Sequence, residues 1–202
     1  MIHVIDVETT GLNQWSNEIL TCAVVTLDND LKEVSRNEFR RKPEYSTTWS
    51  EEAEAVHRIP WEQANTFPDS KSFRKNLKSH LQSFGSGSVF VCHALPFLSN
   101  VDLIDYQFIF SEFNRVGDHF WLYDIFPTGN ILSTITRSKK GLPVENQKLD
   151  TWAHYLGFDL DHHDAMSDAL ACAEVYKYRR SMDGFDRKTN RKCDFGLFGD
   201  SA

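Results

Sequence analysis

The first forty residues alternate between short apolar runs and turn residues in a pattern that predicts three strands. Ile2 to Val7 is a β-branched run that predicts a buried strand, and Ile19 to Leu27 is a second run, rich in valine and threonine. An Asp-Asn-Asp turn signal occupies residues 28–30, and Lys32 to Arg40 then alternates well enough to predict a third strand. The chain therefore begins with an antiparallel meander.

Helical and strand patterns alternate through the rest of the chain. Helices are predicted to begin near Ser50 and to cover Asp69 to Phe84, Val101 to Val116, Leu149 to Leu156 and Asp164 to Arg180; further strands are predicted at Val89 to Cys92 and Trp121 to Ile125. This order predicts an α/β domain over residues 1–182, in which helices flank a mixed five-stranded sheet. Residues 183–202 are rich in glycine, aspartate and arginine and are predicted to be a C-terminal tail.

Composition narrows the class of protein. The 202 residues suit one domain, and an apolar fraction of 41% is enough for a core. The sequence has no run of eighteen apolar residues, so we expect no membrane span, and its N-terminus does not resemble a signal peptide. The four cysteines are far apart and form no C-x-x-C pair, which favours a reducing cytoplasm over a disulfide framework or a zinc site.

The net charge of −7 argues against a sequence-reading DNA clamp, which usually has a basic face. It argues less against a metal-dependent nuclease, because bound divalent cations reverse the local field of clustered carboxylates. Small basic groups such as Arg40-Arg41-Lys42 are predicted to be solvated surface.

Two carboxylates end the first predicted strand. Asp6 and Glu8 are two residues apart, so on a strand their side chains point to the same face. Like charges held close together in an apolar strand repel, and a divalent cation is the natural compensation. Ligands that are all oxygen favour Mg²⁺ or Mn²⁺ over zinc. An isolated D-x-E pair carries a high risk of a chance match, so its weight depends on the other motifs.

The next residues predict a seat for a terminal nucleotide. Thr9 and Thr10 place two hydroxyl groups directly behind the acids, and Gly11 would let the backbone approach a ligand closely. Leu12 is in a position to touch a base.

A histidine and an acid open the last predicted helix. His163 and Asp168 are five residues apart and on one continuous helix would diverge by about 140°. They converge if His163 lies in the loop before the helix, an arrangement that Asp164 allows as the helix N-cap. Alanines in this helix keep it thin, so its backbone can lie close to the sheet. With one more acid from the middle of the chain, such a site would hold two metal ions for in-line phosphoryl displacement, and the histidine would take a proton from water.

The same motifs resemble those of the DEDDh exonuclease family, the DnaQ-like group that includes the proofreading subunit of bacterial DNA polymerase III and ribonuclease T. The first family motif matches residues 6–11, Asp-Val-Glu-Thr-Thr-Gly, and the third, H-x-A-x-x-D, matches residues 163–168. The resemblance spans Ile2 to Tyr178. It implies a ribonuclease H-like fold, two Mg²⁺ or Mn²⁺ ions, metal ligation by Asp6, Glu8 and Asp168, and release of 5′-mononucleotides.

The second family motif, usually H-N-A-x-F-D-x-x-F-L, is split in this chain. Residues 91–94, Val-Cys-His-Ala, resemble its first half without the asparagine, which implies a substrate-side role for His93. Residues 104–109 resemble its second half, and Leu95 to Leu103 lie between. We assign the metal ligand of this motif to Asp105, because the following Phe-Ile pair fits the family pattern; Asp102, one helical turn earlier, is the alternative.

A further segment, residues 55–59, resembles a family segment that usually reads H-G-I and borders the nucleotide pocket. The likeness implies that His57 contacts substrate, although Arg58 replaces the glycine.

Three functions are compatible with these motifs. The first is a 3′→5′ exonuclease that acts on single-stranded or frayed DNA, and the second is an RNA-trimming exoribonuclease, since no motif here reads a 2′-hydroxyl. The third is a non-catalytic nucleic-acid-binding or assembly subunit with the same fold. An apolar cluster in the tail, Cys193 to Phe198, suggests a docking segment for a polymerase or sliding clamp, with packing back on the domain as the alternative.

Overall fold

The computed structural model describes residues 1–45, 48–93, 104–127, 130–136 and 140–182. Its strands are β1 (Ile2–Thr9), β2 (Ile19–Leu27), β3 (Glu33–Arg40), β4 (Val89–Cys92) and β5 (Ile131–Ser133). Its helices are α1 (Glu51–His57), α2 (Trp61–Ala64), α3 (Ser70–Gln82), α4 (Ile104–Asn114), α5 (Trp121–Ile125), α6 (Leu149–Leu156) and α7 (Ala165–Ser181).

The five strands form one mixed sheet in the order β3-β2-β1-β4-β5. The first three strands form the predicted antiparallel meander, whereas β4 pairs in parallel with both β1 and β5. The pairing of β4 with β1 runs only from Ile2–Val89 to Val4–Val91, so β4 does not cover the second half of β1. Among the described residues, no strand pairs with the second half of β1, which carries Asp6 and Glu8, on the β4 side.

Helices cover both faces of the sheet. On one face, α3, α4 and α5 pack against side chains such as Ile5 and Phe90. On the other, α6 and α7 pack against Val4 and Val25, and the alanines of α7 that face the sheet are buried. These small side chains let α7 lie close to β1 and β2, as the sequence predicted.

One predicted element is wrong. Trp121–Ile125 is a short helix, and the fifth strand is Ile131–Ser133. Trp121, Leu122 and Ile125 are buried at helical spacing, and a five-residue apolar run does not by itself distinguish a buried strand from a buried helical turn. The predicted number of strands is nevertheless correct.

Candidate active site

Three carboxylates meet on the α7 face of the sheet. Asp6 and Glu8 share the face of β1 that carries Val4, because side chains alternate along a strand. Asp168 lies in the first turn of α7, which packs on this face. One oxygen from each of the three groups lies within 4.8 Å of the other two. The sequence-predicted first and third motifs therefore converge.

Asp105 reaches the same strand from the opposite layer. It lies in the first turn of α4, and its Oδ1 accepts a hydrogen bond from the backbone N–H of Val7 at 3.1 Å. That N–H lies beyond the last residue of β1 that pairs with β4. Asp105 is buried, and it contacts β1 at the residue between Asp6 and Glu8. It is not part of the cluster that Asp6 and Glu8 form with Asp168. The alternative residue, Asp102, lies outside the described residues.

Burial and mutual repulsion raise the pKa values of both strand acids. The pKa of Asp6 is well above its ordinary range, first because the group is buried and then because Asp105, Glu8 and Asp168 surround it with negative charge. Burial, with Asp168 and Asp105 as neighbours, raises the pKa of Glu8 to about 8. Carboxylates in this setting ionise with difficulty on their own, and a bound cation would stabilise their charged forms.

The two helix acids are perturbed in the same direction. Burial raises the pKa of Asp105 to about 6, against the opposing effect of the hydrogen bond from Val7. Burial also raises the pKa of Asp168, and a hydrogen bond from the backbone N–H of His163 partly offsets this rise. Four buried or half-buried carboxylates with raised pKa values form an all-oxygen donor set, which fits hard divalent ions such as Mg²⁺ or Mn²⁺.

His163 lies in the loop before α7, as predicted. Its backbone has φ 67°, in the left-handed region, and its N–H donates to Asp168 Oδ2 at 3.1 Å. Asp164 is the N-cap of α7 and accepts from the N–H of Ser167 at 2.9 Å. The sharp turn at His163 and the cap together bring a histidine and an acid five residues apart to one point, and the imidazole stays exposed.

The side chains in the loop after β1 are partly engaged by the protein itself. Thr10 is fully buried, and its hydroxyl accepts from the N–H of Glu18 at 3.0 Å, which stabilises the loop. Gly11 is required by a protein contact, because a Cβ there would lie 2.6 Å from the side-chain amide of Asn17. Leu12 is 84% exposed and is free to meet a ligand.

Thr9 ends β1 beside the acids. Its hydroxyl donates to the carbonyl of Gly11 at 2.7 Å, and the residue is only partly buried. The hydroxyl oxygen therefore retains acceptor capacity while the turn holds it in place.

His57 ends α1 and is buried. Its Nδ1 accepts from the N–H of Ile59 at 3.0 Å, and its Nε2 has no hydrogen-bond partner among the described residues. Burial lowers the pKa of His57, and the nearby His163 adds to this effect. The ring is thus neutral, with its proton on Nε2.

Arg58 takes the position of the family's glycine. It adopts φ 57°, a left-handed conformation at the C-cap of α1, and its guanidinium lies 3.9 Å from the carboxylate of Asp161. Both side chains are mostly exposed, so the chain keeps a strained arginine beside the loop that carries His163.

His93 lies at the carboxyl end of β4, level with the acids of β1. Both ring nitrogens are engaged by protein: Nδ1 with the hydroxyl of Thr134, and Nε2 with the carbonyl of Gln147 at 2.9 Å. Burial lowers the pKa of His93 to about 4. Its ring therefore links the end of β4 to Thr134, just after β5, and to Gln147, just before α6.

The prediction that Arg41 is solvated surface is wrong. Arg41 is 2% exposed and pairs with Glu18 at 2.8 Å and with Glu112 at 3.1 Å. Glu112, on α4, also accepts from Arg74 at 2.8 Å. This network links β3, α3, α4 and the loop after β1. Its members are far apart along the chain, so no spacing signal could have revealed it.

His162 is a further residue that the motifs did not mark. Its Nδ1 lies 3.6 Å from Asp168 Oδ1, and its ring stacks on that of His163 with centroids 5.2 Å apart.

Residues 3–176 match the exonuclease family RNase_T, and the chain belongs to this family. The resemblance to DnaQ-like exonucleases is thereby confirmed. A curated relative, the PolC-type DNA polymerase III of Caldanaerobacter subterraneus subsp. tengcongensis, is 27% identical over 175 residues, which make up 86% of this chain and 11% of that protein.

Solved structures of exonuclease I share the fold. E. coli exonuclease I in complex with a dT13 oligonucleotide has a TM-score of 0.72 at 14% identity, over 89% of this chain and 41% of that chain. Exonuclease I from Methylocaldum szegediense has a TM-score of 0.69 at 15% identity, over 89% and 40% of the respective chains. These likenesses confirm the ribonuclease H-like fold, and the chain spans less than half of each relative. Among the described residues, no helix is long and apolar enough to cross a membrane.

Proposed function

We propose that this protein is a metal-dependent 3′→5′ exonuclease that removes 5′-mononucleotides from single-stranded or frayed DNA. The observation that carries the proposal is the convergence of Asp6, Glu8 and Asp168, with Asp105 bonded to the strand between the first two. Buried carboxylates that repel one another are costly to keep unless they bind a cation.

The carboxylates of Asp6, Glu8, Asp105 and Asp168 would hold two Mg²⁺ or Mn²⁺ ions. When bound, the ions would polarise the scissile phosphate, activate water and steady the leaving 3′-oxygen. The protein's own contribution is to hold four oxygen ligands on three separate elements, β1, α4 and α7, in a buried setting.

His163 would act as the general base. Its exposed imidazole stands at the start of α7, and its backbone is bonded to the carboxylate of Asp168. The proton of the attacking water would pass to an imidazole nitrogen.

The terminal nucleotide would lie against the exposed end of β1 and the end of α1. Leu12 would contact the base, and Thr9 and Gly11 would border the sugar. The Nε2–H of His57 is a buried donor without a protein partner among the described residues, so it suits a sugar or phosphate oxygen. His93 would act indirectly, by fixing the end of β4 beside the site.

DNA is favoured over RNA by the relatives. One is a DNA polymerase, and another is an exonuclease in complex with a dT13 oligonucleotide. A 5′-labelled single strand should shorten in single-nucleotide steps with Mg²⁺, and a phosphorothioate at its 3′-terminal linkage should delay the first step. The matched RNA strand should be cut more slowly. Faster cleavage of RNA would favour the exoribonuclease. A full-length DNA strand that persists although its 3′ end is free would contradict the proposed polarity.

A polymerase or sliding clamp remains the proposed protein partner. The PolC-type relative contains this domain within a polymerase. The proposed docking segment, Cys193 to Phe198, lies outside the described residues. Deletion of residues 194–202 should leave thermal stability and nuclease activity unchanged and abolish co-elution with the partner; retained co-elution would exclude the tail as the docking segment.

A further inference from the structure

A second set of metal-ligating atoms lies beside the acids. Ligand atoms of His162, His163 and Asp168 lie within 4.8 Å of one another. His162 is not part of the H-x-A-x-x-D motif.

Two of the atoms in this set have no hydrogen-bond partner among the described residues. Asp168 is 7% exposed, and its Oδ2 is occupied by the N–H of His163, whereas its Oδ1 has no hydrogen bond among the described residues. The Nδ1 of His162 is likewise buried without a hydrogen bond and lies 3.6 Å from that Oδ1. A ring nitrogen and a carboxylate oxygen that face each other without a hydrogen bond can take a cation between them.

The second ring nitrogen of His162 has a carboxylate neighbour, as is common for histidines that bind metal ions. Its Nε2 lies 3.7 Å from a carboxylate oxygen of Asp150, on α6. Metal-ligating histidines commonly direct their second ring nitrogen to a carboxylate, which fixes the ring and strengthens the ligand. His162 therefore has an acid on each side, one inside the site and one outside it.

The donor set differs in chemistry from the all-oxygen site. Two imidazoles and one carboxylate suit a borderline transition ion, and Zn²⁺ takes three such ligands with water in the fourth position. Tetrahedral zinc at its usual bond lengths needs ligand atoms about 3.3 Å apart. The Nδ1 of His162 and the Oδ1 of Asp168, 3.6 Å apart, are already close to that spacing.

We propose that His162, His163 and Asp168 form a Zn²⁺ site that inhibits the nuclease. Zinc there would occupy the general base and one carboxylate of the two-metal site, so the two modes of metal binding would exclude each other. The inhibition rests on the proposed function, whereas zinc binding does not.

Binding is tested without activity. In a background that carries Asp6→Asn and Glu8→Gln, zinc is titrated against a chromogenic chelator, and Co²⁺ is added as an optical probe. One Zn²⁺ per chain is expected, with the visible bands of a four-coordinate cobalt site. In the same background, His162→Ala and His162→Gln should each weaken zinc at least about tenfold and remove the cobalt bands. His154→Ala, which removes an exposed histidine of α6, should change neither.

Inhibition is tested in the otherwise unmodified chain. With Mg²⁺ and a labelled DNA strand, the zinc concentration for half-inhibition should rise at least about tenfold in His162→Ala, relative to that variant's own zinc-free rate. If folded variants without His162 bind zinc as tightly as the chain that retains it, the proposed zinc site is wrong. Zinc binding through His162 in a chain that never degrades DNA would instead contradict the proposed function and leave the zinc site standing.

Discussion

The carboxylate of Asp105 accepts a hydrogen bond from the backbone N–H of Val7, 3.1 Å away, at the point where β4 no longer covers β1. The contact joins the helix of the split second motif to the strand of the first. Because Val7 lies between Asp6 and Glu8, the bond fixes a third acid beside them. Asp105 therefore lies beside the strand of the first motif despite the interruption in the second.

Substitutions at Asp105 separate its charge from its hydrogen bond. Asp105→Asn keeps an oxygen for Val7 and should lower kcat about a hundredfold or more with little loss of stability. Asp105→Ala should also destabilise the fold by about 1 to 3 kcal/mol, because a buried N–H loses its acceptor. Steady-state kinetics and urea unfolding measure the two effects. Full activity in Asp105→Asn together with inactivity in Asp102→Asn would transfer the ligand role to Asp102.

Stability of the metal-free protein should fall as pH rises. The folded-state pKa of Glu8 is raised from 4.5 to about 8, so the folded chain retains this proton at pH values where the unfolded chain has lost it. The stabilisation is complete below the unfolded value and is lost as pH rises through the folded one; Asp105, raised to about 6, adds to the loss.

Thermal melting in EDTA should therefore show Tm lower at about pH 8.5 than at about pH 7, by roughly 3 °C, and Mn²⁺ should restore it. The interval lies above the ordinary pKa of histidine because, at lower pH, burial of His3 and His93 in their neutral forms makes stability rise with pH and opposes the trend. Glu8→Gln should flatten the dependence, whereas Glu62→Gln, at an exposed site on α2, should preserve it. A Tm that rises over this interval in EDTA would refute the assigned direction.

The N-cap of α7 should matter for catalysis as well as for stability. Asp164→Ala removes the cap that begins the helix directly after the left-handed His163, and it should cost about 1 kcal/mol and lower kcat about tenfold. The matched control is Asp69→Ala, which removes the cap of α3, where Asp69 accepts from Ser72 at 2.7 Å. It should cost a similar amount of stability at unchanged kcat. Equal kcat in both variants would show that the cap does not position His163.

The buried network around Glu112 should be a main determinant of stability. Glu112→Gln leaves Arg41 buried at 2% exposure with one of its two buried partners neutral, and it should destabilise the fold by about 3 to 5 kcal/mol. Glu38→Gln breaks an exposed pair with Arg40 and should cost less than about 1 kcal/mol. Urea unfolding of both variants compares the two, and similar losses would contradict the role of burial.

Removal of the unusual arginine should stabilise the fold. Arg58→Gly relieves a left-handed backbone at an arginine with only a weak, exposed ion pair, so we expect a gain of about 1 kcal/mol. Arg58→Ala keeps the strained backbone and should show no such gain. A loss of stability in the glycine variant would mean that the contact with Asp161 outweighs the strain.

Local patterns predicted most elements and the convergence of the first and third motifs, because strand alternation and a capped helix start are short-range features. Trp121–Ile125 was misassigned, since a short apolar run fits a strand or a helical turn equally well. The burial of Thr10 and Arg41 and the position of His162 depend on contacts between distant segments. Such contacts leave no period or spacing in the sequence.

The assignment of the active site is tested most directly by the rate at which a 5′-labelled DNA strand is degraded in the presence of Mg²⁺. The rate is compared for the unmodified chain, Asp6→Ala and His163→Ala. The exposed turn variant Asp30→Asn and His154→Ala serve as matched controls. Loss of one strand acid should slow the reaction roughly a thousandfold or more, and loss of the base about a hundredfold to ten-thousandfold, while both controls retain full rate. Undiminished degradation in Asp6→Ala or in His163→Ala would contradict the assignment of this site.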